Sequence, residues 1–134
     1  MDNALQFLID LGFEEVGSWI LTDNLLTCRL TKHGSECEIL YAFVLHGEVL
    51  YIGKSVQTLK SRLYGYEKPG PTQRTNIASN EKLRTILVNV SSVQIFALVV
   101  REPVLFRGVP LNVAAGLEDS LIKRLKPKWN RVGL

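Results

Sequence analysis

The sequence predicts one α+β domain, in the order helix, two β-hairpins, two helices, strand and last helix. Three observations lead there. Strand-type runs come in two pairs separated by turn-prone dipeptides, apolar residues recur at helical spacing in four other segments, and no repeat or βαβ alternation is present. The length of 134 residues suits one core. With 46% hydrophobic and 22% charged residues the chain is too apolar to be disordered.

Leu5, Leu8 and Ile9 stand at helical spacing before Gly12, which predicts a helix over 4–11 with a glycine stop. Residues 18–22 and 25–30 flank Asp23-Asn24 as one hairpin, and 38–45 and 48–53 flank His46-Gly47 as a second. Leu59 and Leu63, following Ser55 and Thr58 as possible caps, predict a helix within 55–66. Lys68 to Asn76 has no periodicity and two prolines around Gly70, so it reads as a stiff loop. Helical spacing returns after Asn80 with Leu83, Ile86, Leu87 and Val90. The β-branched run 92–100 suits a buried strand, and Leu117, Leu121 and Leu125 line a last helix over 113–126 that Pro127 ends.

Composition narrows the function classes. No uncharged run approaches the ~20 residues of a membrane span, and Asp2 and Asp10 leave no basic signal start, so a soluble, cytoplasmic protein without membrane contact is expected. Cys28 and Cys37 lack the companions for a disulfide framework or a zinc site and read as reduced thiols. The net charge of +3 is unevenly spread: residues 1–53 carry −6, residues 54–84 carry +5 and residues 101–134 carry +4. Clustered cations gain affinity for a polyanion by releasing its counterions, so the later two thirds are expected to face nucleic acid; solvated helix faces are the plainer alternative.

Gly47 to Ser55, GEVLYIGKS, imitates a phosphate-binding loop, but it has five residues between glycines where that loop has four, and Val49 to Ile52 form a strand. Its N–H groups belong to a sheet, so no nucleotide cofactor is expected.

The same segment carries a different resemblance. Ile39-Leu40-Tyr41, followed ten residues after the tyrosine by Tyr51-Ile52-Gly53-Lys54, resembles the paired signature of the GIY-YIG nuclease family, with the glycine of the first tripeptide absent. Arg62, Glu118 and Asn130 match the family's remaining landmarks in order, Arg62 standing eleven residues after Tyr51 where ten is usual. The resemblance covers about residues 38–131 and is nearest to small stand-alone bacterial members, leaving 1–37 as a helix and hairpin extension of a single domain. It implies a three-stranded antiparallel sheet, a divalent cation (Mg²⁺ or Mn²⁺) and hydrolysis of DNA phosphodiesters. A homo-oligomer making paired cuts is compatible with it.

The residue types fit that chemistry. Glu118 has Ala114, Ala115, Leu121 and Ile122 as helical neighbours, an apolar setting that suits a metal ligand, or else a boundary glutamate reaching solvent. Asp119 is expected to pair with Lys123. Arg62 borders the buried helix face and shares a side with Tyr66, so its fork can hold phosphate oxygens. Tyr41 and Tyr51 are the candidate base and its partner, helped by Lys54 because a phenol with pKa ~10 needs a neighbouring cation; strand packing is the alternative for both. Asn130 is expected to tie the chain end to the site by hydrogen bonds, an asparagine after Lys128-Trp129 being equally suited to a turn. Lys54, Tyr66, Lys68, Gln73, Arg74 and Asn76 are the DNA-contact candidates, Gln73, Arg74 and Asn76 being types that pair with base edges, although a structural loop would contain them equally well. His33 and His46 read as solvent-facing turn residues. A binding module on the same fold, without turnover, is the rival from another class.

The second hairpin sets whether the tyrosines meet. A two-residue His46-Gly47 turn pairs positions summing to 93 and separates their faces; a three-residue turn with Gly47 bulged pairs positions summing to 92 and sets Tyr41 opposite Tyr51. A shared site requires the second.

Overall fold

Asp23 and Asn24, then His46 and Gly47, take positive φ of 51°, 65°, 50° and 81° in the computed structural model, which describes residues 3–101 and 103–131. Two successive left-handed residues form the turn whose twist matches right-handed strands. Each pair closes a hairpin: β1 (Glu14–Thr22) with β2 (Leu25–Leu30), and β3 (Ile39–Leu45) with β4 (Glu48–Ser55). The helix α1 (Ala4–Leu11) precedes them and ends at Gly12, whose φ of 113° suits a residue without Cβ. Then come α2 (Leu59–Glu67), α3 (Arg74–Leu87), β5 (Val93–Val99), a small hairpin of β6 (Leu105–Phe106) and β7 (Val109–Pro110), α4 (Val113–Leu125) and a 3₁₀ turn at Lys128–Arg131.

β5 pairs antiparallel with both β1 and β3, which gives a five-stranded sheet in the order β2-β1-β5-β3-β4. The expectation of three central strands with a hairpin appended is corrected here. The apolar strand β5 has two edges to satisfy, and β1 supplies the partner that β3 leaves vacant. The order places β2 at one edge and β4 at the other.

The register between β3 and β4 also differs from expectation. The turn has two residues, with Leu45 opposite Glu48 and Val44 opposite Val49, but the pairing shifts beyond Val44 and sets Phe43 opposite Tyr51 and Tyr41 opposite Gly53. A bulge at Leu50 inserts the extra residue. It returns Tyr51 to the face of Tyr41, diagonally rather than directly across, so the shared face arises from a bulge inside β4 and not from one at the turn.

Each face of the sheet carries its own core. Trp19, Tyr41, Phe43, Leu50, Ile95 and their neighbours pack against α2 and α3 through Leu59, Leu63, Tyr66, Leu83 and Leu87. On the other face Leu40, Ala42, Ile52 and Phe96 pack against α1 and α4 through Leu8, Ala114 and Leu121. Thr58 caps α2 by accepting from the Ser61 N–H at 3.1 Å. The helix α3 begins at Arg74, two turns before the apolar spacing reveals it, because its first inward residues are Asn76 and Ser79. Arg74 and Asn76 are therefore helical and not part of a loop. No helix of the described residues is long and apolar enough to cross a membrane.

Candidate active site

Strand alternation and the Leu50 bulge put Tyr41, Phe43 and Tyr51 side by side, and Tyr66 descends on them from α2. Ring centroids of Tyr41 lie 6.3 Å from Tyr51 and 6.3 Å from Tyr66. The hydroxyls of Tyr41 and Tyr66 hydrogen-bond at 2.6 Å. Both residues are fully buried, and burial pushes both phenols far above the ordinary phenol range, so they are protonated at neutral pH. Tyr51 is half-buried and opens toward solvent.

Arg62, half-buried on α2, stacks its guanidinium over the Tyr66 ring at 4.5 Å and lies within hydrogen-bonding reach of the Tyr41 hydroxyl. Its Nη1 donates to Asn76 Oδ1 at 3.1 Å. Asn76 Nδ2 donates in turn to Gln73 Oε1 at 3.1 Å, and the same oxygen accepts the Gly70 N–H at 2.8 Å. Two residues expected at base edges thus have their amides directed to Arg62 and to each other.

The edge of β4 is closed by Asn130. Its Oδ1 accepts the Ile52 N–H and its Nδ2 donates to the Ile52 carbonyl, both at 2.9 Å, so one side-chain amide replaces a neighbouring strand at that residue. This holds the 3₁₀ turn beside Tyr51 and forms a slot of about 390 Å³ lined by Tyr51, Arg74, Ser79, Lys82, Trp129 and Asn130. Lys82 and Trp129 escaped the sequence reading, and the Lys82 ammonium lies 5.9 Å from the Trp129 ring. A tryptophan beside Asn130 was the available signal. Lys68 stands over the exposed ring of Tyr64 at 6.0 Å, on the solvent side of α2. A cavity of about 910 Å³ between β2 and α2 contains none of the candidate catalytic side chains.

Lys54 was expected to assist a tyrosine, but alternation sends it to the other face of β4, where its charge acts on Glu118. Partial burial pushes the Glu118 carboxyl up, and Lys54 and Arg62 pull it back toward ionisation. Asp119 is spent on Lys123 at 3.1 Å. His46 is exposed as expected, whereas His33 is half-buried and bonded to Glu14 at 2.6 Å.

Could these residues hold a divalent cation? Among the described residues no three His, Cys, Asp or Glu side chains cluster. Glu118 is nevertheless a partly buried carboxylate that feels the charges of Lys54 and Arg62, with no hydrogen-bond or ion-pair partner of its own among the described residues. Mg²⁺ commonly binds through one or two carboxylates, several waters and substrate phosphates, and the donor set fits that mode.

No family model matches the chain, and no curated protein matches it by sequence. Solved structures do match in fold. A point mutant of bacteriophage T4 EndoII superposes with a TM-score of 0.68 at 18% identity, covering 93% of this chain and 96% of that one. The restriction endonuclease Hpy188I in complex with product DNA superposes with a TM-score of 0.56 at 18% identity, covering 90% and 79%. The class that the fold defines is therefore an α+β architecture found in nucleases.

Proposed function

We propose that this chain is a divalent-metal-dependent DNA endonuclease of the GIY-YIG type. One observation carries the proposal: Tyr41, Tyr51 and Tyr66 from three elements pack together, and on the Tyr66 ring lies the Arg62 guanidinium, whose charge is balanced by no carboxylate within bonding distance among the described residues. A half-buried cation held by neutral groups suits an anion that arrives with the substrate.

In this mechanism Arg62 offers its remaining N–H donors to non-bridging phosphate oxygens and stabilises the charge that grows in the pentavalent transition state. Glu118 would hold Mg²⁺ or Mn²⁺ together with those oxygens. When bound, the ion polarises the phosphoryl group and acidifies water. Lys54 helps keep Glu118 ionised to receive it. Tyr51, at the rim beside Arg74 and Lys82, is assigned as the base: its phenolate oxygen takes the proton of the attacking water and becomes the phenol. Tyr41, sealed and protonated, fixes Tyr66 and through it the surface on which Arg62 rests. Asn130 holds the 3₁₀ turn against β4 and so shapes the site. The exposed cations Lys68 and Arg74 are assigned to the flanking phosphates.

Supercoiled plasmid incubated with the protein and Mg²⁺ should be converted to nicked or linear forms with 5′-phosphate ends, and chelator should stop the reaction. Tight binding to the same plasmid with no product under Mg²⁺ or Mn²⁺ would leave a binding module in its place.

A further inference from the structure

We infer that Gln73 and Asn76 are positioning residues for Arg62, forming a polarised amide relay that aims the guanidinium without neutralising it. The inference rests on the reading of Arg62 as the phosphate-binding cation. It starts from a fixed donor. The backbone N–H of Gly70 can only donate, so the Gln73 side chain must turn its Oε1 toward it. That same oxygen also faces Asn76 and can only accept, so Asn76 must offer Nδ2 to it. Oδ1 of Asn76 is then the atom left for Arg62, which is a donor at every nitrogen. Each amide has one orientation that satisfies the chain, and a flip of either would set donor against donor.

The burial pattern supports this role. Asn76 is 8% exposed, in the first turn of α3, and a buried amide without partners would be costly. Room for it comes from α2: a Cβ at Gly65 would stand 3.2 Å from Asn76 Nδ2. Glycine inside a helix is unfavourable by propensity, so the position is accounted for by the space the amide occupies. The neutrality of the anchor also matters. An aspartate at 76 would offer Arg62 an acceptor but cancel its charge, whereas an amide oxygen orients the fork and leaves the cation for phosphate.

Gln73 is exposed, so substitution there tests the relay without opening the core. Gln73→Leu removes the acceptor that sets Asn76, while Gln73→Glu keeps an oxygen for both donors and should rescue. Three quantities are measured for each: kcat and KM for plasmid nicking with Mg²⁺, affinity for a DNA duplex without metal, and ¹⁵N resonances of the Arg62 guanidinium. Gln73→Leu should lower kcat about a hundredfold, as misplacement of a reacting group does. Its metal-free affinity and melting temperature should stay near the parent's, and guanidinium rotation, expected to be slow in the parent, should become fast. Parent-like kcat in Gln73→Leu, or equal losses in both variants, would overturn the relay. If the parent itself cleaves no DNA, the endonuclease reading fails instead; the Arg62 resonances then decide the relay alone, and rotation that is equally fast in parent and Gln73→Leu overturns it.

Discussion

The ring of Tyr41 lies against Gly53, one strand away: a Cβ at position 53 would stand 2.6 Å from the phenol carbon and 2.6 Å from its oxygen. The glycine of the Tyr-Ile-Gly tripeptide is therefore needed for its missing side chain. It lets a buried tyrosine on β3 extend across the edge strand toward Tyr66 and Arg62.

Gly53→Ala should consequently act on the tyrosine pair. Tyr41 is fully buried and cannot swing away, so the overlap must be relieved by the backbone, and a loss of about 1–3 kcal/mol is expected on denaturant unfolding. Cleavage should fall further than stability explains. Parent-like stability and rate would show that Tyr41 does not need this space.

The two buried hydroxyls should respond unequally to removal. Tyr41→Phe leaves the Tyr66 hydroxyl buried without its partner and deprives Arg62 of a neighbour, at a cost of about 1–3 kcal/mol. Tyr66→Phe leaves Tyr41 within reach of Arg62 and should cost less. In a double-mutant cycle, the combined variant should lose less than the separate losses imply, because neither hydroxyl is then orphaned. Strict additivity would deny the coupling.

Glu118→Gln should abolish metal-dependent cleavage while leaving the fold intact, and metal-free DNA binding should persist or tighten once a carboxylate no longer repels phosphate. The stability change has a definite sign. Burial raises the folded-state pKa of Glu118, so the parent gains stability as pH falls through that value and holds the gain fully below the ordinary carboxyl range. The variant should thus be at least as stable as the parent near neutrality, with any advantage disappearing in acid. A folded Glu118→Gln protein that nicks at the parent rate would remove this residue from the chemistry.

Charge placement predicts an asymmetric DNA footprint. Arg74 opens onto the slot beside Tyr51, whereas Arg29 lies on β2, four strand positions from β4 and so about 19 Å away. Arg74→Ala should weaken binding and reduce the salt slope by about one unit. Arg29→Ala should change neither. Equal effects in salt titrations would contradict a footprint confined to the later part of the chain.

Local pattern carried much of this molecule. The first and last helices, the positions of both hairpins and the burial of β5 follow from spacing, glycine and proline alone, because these features depend on neighbours within a few residues, whereas the three-residue turn expected at Gly47 is a two-residue one. The side of α2 shared by Arg62 and Tyr66 was legible for the same reason. The start of α3 was hidden, since Asn76 and Ser79 take inward positions that a search for apolar periodicity discards. Tertiary structure alone decided the rest. The pairing of β1 with β5 joined the hairpin to the central sheet, and the bulge at Leu50 reversed the face of Tyr51 where the turn by itself would have opposed the tyrosines. Packing of α3 on α2 turned Gln73 and Asn76 from a surface loop toward Arg62. Each of these outcomes is a choice between nearly equivalent local states, a strand edge, a register or a rotamer, and contacts between residues distant in the chain supply the energy that selects one.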